Sequence, residues 1–464
     1  MSNNSTDEVC LTTWLHISDL HCVSTGAYAN HLSLLLHGNR QNGHSDSIET
    51  GGIEFVLREL GCIGNIVITG DILNKGSSEH LDDIKSEIEE IFNLCEEVNY
   101  KSSETPSLSL KILYCPGNHD LSRDEKSGTL TRENLLTLRK QNNFWDELDT
   151  SKFDKDMAYD LLTKKSFKKF FELFASLQQK AKVWNDSKEY NLHLLEVNKN
   201  AAVVFCGINT ALIAGQKRQK NDDDELECLE QLYVIAKSER KNGLLNNGKY
   251  STAKKHYNST HLIDDKGKLC FISPQAQKDL KERFKNLKKR YKNIVTIFYG
   301  HHPLEWLDAS AREYAVRLMR DCNCYLYLCG HTHVPSPQTS PIENSNIHQI
   351  CIGALKREEK DNEAFGSFSI GKIIVKHKEI KAKITKWQYV PSTFGKSWTH
   401  YSETIELGLY IESAETLENC ENEPKLPSHI EAQNGRGISR FLDLFKADQK
   451  LSDNEKITQG TQQR

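Results

Sequence analysis

Leu113-Tyr114-Cys115-Pro116-Gly117-Asn118-His119-Asp120 is the stretch from which the fold can be read. The apolar run Ile112–Cys115 has the character of a buried strand. Pro116-Gly117 turns the chain sharply, and Asn118, His119 and Asp120 follow at the strand's end. A loop that leaves a strand through a tight turn is where α/β proteins place chemistry. Taken alone, Gly-Asn-His-Asp is equally a plain surface turn. Four other apolar runs that end in the same manner decide against that.

Thr12–Ile17 ends in Ser18-Asp19-Leu20-His21, and Ile66–Thr69 ends in Gly70-Asp71. Ile294–Tyr299 runs into Gly300-His301-His302-Pro303, and Cys324–Cys329 into Gly330-His331-Thr332-His333. Between the second and third runs, Ile84, Ile88, Ile91, Cys95 and Val98 recur at helical spacing. Strand, helix, strand is a βαβ unit, so the first three strands are expected in one sheet of a layered α/β fold. Ligands bind at the carboxyl ends of such strands. The five ends together offer carboxylates, one amide and imidazoles, a donor set suited to Mn²⁺, Fe²⁺ or Zn²⁺. With no thiolate among them, a structural zinc site is not expected. Seven candidate ligands are too many for one ion, whereas two ions sharing a carboxylate would use them all.

Composition sets the outer limits. The chain has 464 residues, 38% hydrophobic, with net charge −4 and mean hydropathy −0.59. This describes a polar globular protein with no apolar run long enough for a membrane span. The first ten residues are polar and acidic, unlike a signal peptide. Thirteen scattered cysteines without a Cys-x-x-Cys pair fit reduced thiols in a cytoplasmic protein. Residues 1–11 read as a tail, 12–411 as the main domain, and 412–464 as a polar linker, a short helix and a partly disordered tail. Two insertions interrupt the domain: a helical one over about 128–190 and a charged loop over about 216–260. In the first, Glu133–Leu148 and Met157–Trp184 read as helices, with Phe167, Phe170, Phe171, Phe174 and Leu177 as an apolar face. Ser273-Pro274 opens a helix whose exposed face carries Lys281, Lys285, Lys288, Lys289 and Arg290. That face reads as solvated, with steering of an anionic substrate as the second reading. Ile347–Gly353, Ser367–Val375 and Ile380–Gln388 are expected as antiparallel strands at the back of a second sheet.

The five blocks, in this order, resemble the calcineurin-like metallophosphoesterases, in particular the bacterial branch of phosphodiesterases and nucleases. The resemblance spans roughly residues 12–390 and is carried by the blocks and their strands. It implies a four-layer αββα sandwich of two mixed β-sheets with a helical insertion. It also implies two divalent metal ions, Mn²⁺ or Fe²⁺ favoured and Zn²⁺ the alternative. Asp19, His21 and His333 would hold the first ion, Asn118, His301 and His331 the second, and Asp71 would bridge both. His119 matches the family's non-ligand histidine, which contacts the scissile phosphate and protonates the leaving oxygen. Asp120 would orient the His119 ring. Arg123 could reach the substrate phosphate, or be an ordinary surface arginine. His302 is the alternative to His301 as ligand, with substrate contact as its other role.

The implied activity is hydrolysis of phosphate esters by a hydroxide lying between ions roughly 3.5–4 Å apart. The favoured substrate is a nucleotide-type phosphodiester. A DNA or RNA nuclease is the alternative, and a non-catalytic scaffold a third reading. No membrane association is expected; a protein partner could dock through the tail or the helical insertion.

Overall fold

Alternation along the strands decides which side chains face which layer. The computed structural model describes residues 8–20, 36, 48–60, 62–73, 81–102, 110–122, 125–140, 144–177, 180–214, 237–238, 265–332, 340–342, 345–355, 357–358, 364–392 and 395–410. In chain order the strands are β1 (Glu8–Ile17), β2 (Asn65–Thr69), β3 (Lys111–Cys115), β4 (Lys126–Ser127), β5 (Leu130–Thr131), β6 (Tyr190–Asn198), β7 (Ala201–Ile208) and β8 (Asn293–Tyr299). They continue with β9 (Cys324–Cys329), β10 (Ser340–Pro341), β11 (His348–Cys351), β12 (Arg357–Glu358), β13 (Ala364–Lys376), β14 (Glu379–Ser392) and β15 (Gly395–Tyr410). One mixed sheet has the order β15-β14-β13-β1-β2-β3, with β12 on β13; a second has the order β10-β11-β9-β8-β7-β6.

Val203, Phe205, Val295, Ile297, Leu326 and Leu328 point toward the first sheet and share a core with Trp14 and Ile66. Their neighbours Ala202, Val204, Cys206, Ile294 and Phe298 point the other way, into a second core with Leu280, Phe284 and Leu318. Trp14 meets Phe205 edge-on across the seam, with ring centroids 5.7 Å apart. The Leu81–Ser102 helix contributes Ile84, Ile88, Ile91, Cys95 and Val98 to the first core. The helices Pro274–Arg290 and Ala309–Asp321 cover the outer face of the second sheet. Parallel strands need such cover on both faces. The architecture is therefore an αββα sandwich.

Parallel pairing aligns the functional strand ends. Ile17 lies opposite Ile68, and Thr69 opposite Cys115. In the other sheet Gly207 lies opposite Tyr299, and Tyr299 opposite Leu328.

Two expectations change. Of the late strands, β11 joins the second sheet parallel to β9. β13 and β14 are antiparallel but belong to the first sheet, where β13 pairs with β1 from Glu8 onward. The pairing of Trp14 with Gly371 explains the register: a Cβ on Gly371 would lie 2.0 Å from the indole. The long insertion helices are also broken up. Lys155–Asp160 passes into a π-helical turn at Leu161–Lys165 before Lys168–Ser176 begins. At that junction Ser166 Oγ donates to the Leu161 carbonyl and accepts from the buried Arg132 guanidinium. The Pro274–Arg290 helix runs directly into β8 and antiparallel to it. Its basic last turn thus sits beside Asn293, about 20 Å of strand away from Gly300-His301. Lys281, Arg283 and Arg290 pair with Asp321, Asp279 and Glu196. Several of its cations are thus engaged in surface ion pairs.

The insertion braces β3. Phe174 stacks on Tyr114 with centroids 3.7 Å apart. Trp184 Nε1 donates to the Tyr114 carbonyl, and Lys182 N to that of Ile112. The edge of β3 is thereby covered. Apart from residues 237–238, the charged insertion lies outside the described residues, as does the 412–464 segment with the short helix expected there. No helix among the described residues is long and apolar enough to cross a membrane.

The seam gives a stability test. Gly371→Ala forces the indole of Trp14 to move within a packed core, an overpacking change expected to cost about 1–3 kcal/mol. Urea unfolding should show the midpoint falling with an unchanged slope.

Candidate metal centre

Tight turns carry the polar residues out of each strand. Asp19, Asp71 and His331 have left-handed backbone, with φ of 52°, 53° and 70°. Non-glycine residues there cost free energy and cluster where a site over-determines them. Glycines clear room for the carboxylates. A Cβ at Gly117 would lie 2.2 Å from Asp71 Oδ1, and one at Gly330 would lie 2.6 Å from Asp19 Oδ2.

Each carboxylate uses one oxygen to fix itself. Asp71 Oδ1 accepts from the His119 backbone N–H at 2.7 Å. Asp19 Oδ2 accepts from the His331 N–H at 2.9 Å and from the Ser18 hydroxyl at 2.5 Å. Asp71 Oδ2 then faces His301 Nε2 at 3.2 Å. The same nitrogen is 3.0 Å from Asn118 Oδ1 and 3.0 Å from His331 Nδ1. His301 Nδ1 donates to the Thr69 carbonyl at 2.7 Å. That bond fixes the neutral tautomer, leaving Nε2 as the lone-pair nitrogen aimed at the cluster. Asp19, Asp71, Asn118, His301 and His331 are thus brought together from five strand ends and two sheets.

His302 sits beside them but turns toward Thr210, whose hydroxyl is 3.0 Å from its Nδ1 and accepts its backbone N–H at 3.1 Å. Tyr327 holds its carbonyl. Asp120 sits with its carboxyl among backbone amides. Its two oxygens accept from the backbone N–H groups of Asp71, Ile72, Leu73 and Gly117, at 2.8, 2.8, 2.6 and 2.8 Å. The Asp120 N–H to Gly117 carbonyl turn folds the carboxyl back into this nest of amides. Its work is to lock the β2 and β3 loops together. His21, Arg123 and His333 lie outside the described residues. Thr210 and Thr69 support the site as well, and in the sequence they show only as residues at strand ends.

The electrostatics ask for positive charge. Burial alone would push the His301 imidazole down, yet the Asp71 and Asp19 carboxylates and its hydrogen bonds raise it to about 9. Burial, reinforced by His331 and His301, holds His302 well below the ordinary range. Burial and the Asp71 charge push Asp120 up, against the pull of its amide donors. Ligand atoms of Asp19, Asp71 and His301 lie within 4.8 Å of one another, as do those of His301, His302 and His331. Oxygen and imidazole donors gathered around a demand for positive charge fit divalent cations of the Mn²⁺, Fe²⁺ or Zn²⁺ kind.

Residues 12–207 and 209–335 match the calcineurin-like phosphoesterase family, and the chain belongs to it. It is a member of a metal-dependent phosphoesterase family. A metallophosphoesterase-like protein of Bacillus subtilis, YydB, is 22% identical over 318 residues, covering 68% of this chain and 50% of that protein. The chain therefore spans about half the length of that curated relative. Among solved structures, TT1561 of Thermus thermophilus is 10% identical with a TM-score of 0.31, covering 78% of this chain and 93% of that one. An Entamoeba histolytica Vps29 double mutant is 9% identical with a TM-score of 0.26, covering 84% and 99%.

Two expectations follow. His301 binds its proton more tightly folded than unfolded, so without metal its contribution to stability is full below about pH 6.5 and is lost as pH rises through about 9. Mn²⁺ must displace that proton, so its affinity should strengthen over the same interval, by up to about tenfold per pH unit. Titration calorimetry in buffers of different ionisation heat would show the released proton. Secondly, Asp71→Asn should lower metal content and turnover more than His21→Ala. Near-normal activity in the Asn variant would overturn the shared role of Asp71.

Proposed function

We propose that this chain is a binuclear phosphodiesterase acting on nucleotide-type substrates. The convergence of Asp19, Asp71, Asn118, His301 and His331 at one edge of the sandwich carries the reading. Asp19 would hold the first cation with His21 and His333. Asn118, His301 and His331 would hold the second, and Asp71 would be shared. When bound, such a pair of cations cancels phosphoryl charge and lowers the pKa of water. The chain's own residues supply the rest. Asp71 and Asp19 are fixed by backbone amides before any substrate arrives, so little reorganisation opposes binding. His119, anchored through its N–H to Asp71, protonates the departing oxygen. Asp120 keeps the β2 and β3 loops in place through its four backbone amide donors. His302, turned to Thr210, supports the wall behind His301 and His331. Arg123, if it reaches the phosphate, would clamp it bidentately.

A panel of bis-p-nitrophenyl phosphate, p-nitrophenyl phosphate, cyclic nucleotides and single- and double-stranded nucleic acid, each with Mn²⁺, Fe²⁺, Zn²⁺ or Mg²⁺, tests the reading. Diesters should turn over faster than the monoester, with weak salt dependence. Cleavage of polynucleotide alone, falling steeply with salt, would move the assignment to a nuclease. No turnover with any metal would end it.

A further inference from the structure

We infer that Trp306 is a positioning residue that fixes the His331 imidazole for metal binding; this rests on the two-cation reading above. The Trp306 and His331 rings are perpendicular, at 83°, with centroids only 4.1 Å apart. The other walls around that imidazole are His302 at 4.5 Å and His301 at 4.9 Å. His331 thus stands in a box of three rings, of which Trp306 is the nearest.

The turn that carries the indole is held firmly. Trp306 ends the short 3₁₀ turn Leu304–Trp306 that follows His301-His302-Pro303. Leu304 N donates to Gln349 Oε1 at 2.9 Å, and Gln349 Nε2 donates to Glu305 at 3.1 Å. The Trp306 carbonyl accepts from Lys268 N and Leu269 N, each at 3.2 Å. Both ends of the turn are therefore pinned to other elements, which fixes the backbone that carries the ring.

His331 needs such a wall. Its φ of 70° places it on a turn that the preceding glycine makes sharp. An imidazole ligand must be held within roughly 10–20° of its working direction. Its Nδ1 already points at His301 Nε2, 3.0 Å away. Packing against the indole blocks the rotamers that would swing Nδ1 out of line.

The test uses the full chain with Mn²⁺ as probe, counting free ion by electron paramagnetic resonance, for wild type, Trp306→Ala and Trp306→Phe. By analogy with other groups that orient metal ligands, Trp306→Ala should weaken one of two Mn²⁺ sites about 10–100-fold. The other site and the thermal unfolding midpoint should change little. Trp306→Phe, which keeps an aromatic wall, should restore most of the loss. Wild-type affinity at both sites in Trp306→Ala, or a Phe variant as weak as the Ala one, would overturn the inference. Wild-type protein that takes up no Mn²⁺ would instead overturn the two-cation reading beneath it.

Discussion

Two buried carboxylates, Asp19 and Asp71, lie within ligand distance of one buried imidazole, His301, and the remainder of the sandwich serves that arrangement. Like charges this close cannot both persist away from water unless positive charge joins them. A proton on His301 meets part of that need and explains why so buried a ring is pulled up to about 9. A divalent cation meets it better. The left-handed turns, the glycines without side chains at Gly117 and Gly330, and the amides that hold one oxygen of each carboxylate all work to the same end.

Support reaches the site from behind as well. The buried His16 imidazole, held neutral and pushed down to about 3 by burial and by Lys386, lies 3.0 Å from the Thr69 hydroxyl. The carbonyl of the same Thr69 receives His301. On the β3 side, the aromatic stack of Tyr114 with Phe174 and the Trp184 hydrogen bond steady the strand that carries Asn118. The helical insertion therefore belongs to the site's foundations as well as to its surroundings.

Much of this was legible in the chain. Five apolar runs, each closed by a glycine or an Asp/His turn, announced the strand ends, because period, turn chemistry and donor type all act over a few residues. What was not legible depends on long-range pairing. β13 and β14 alternate as any antiparallel strand does; which sheet they join is decided by Trp14 needing Gly371 opposite it, hundreds of residues away. The amides of the β2 loop that Asp120 accepts from lie nearly fifty residues away, and no local pattern signals them. Trp306 and Thr210 are not ligand-type residues, and only the folded arrangement brings them against the histidines. The helices of the insertion were overlong in the sequence reading because the pull of Arg132 on Ser166 is a tertiary effect.

The ligand candidates are divided between the layers: Asp19, Asp71 and Asn118 hang from one sheet, His301 and His331 from the other. Their polar stitches, from His331 N to Asp19, from His301 to Thr69, and from Leu355 N to the Ser18 carbonyl, run along a single rim. Below that rim apolar contacts such as Trp14 on Phe205 fill the gap between the layers. The width of the hydrophobic interior is thus the gauge that spaces two half-sites. A methyl group gained or lost deep in the seam is transmitted to the rim as misalignment, so drift in those distant positions is constrained by chemistry that they never touch.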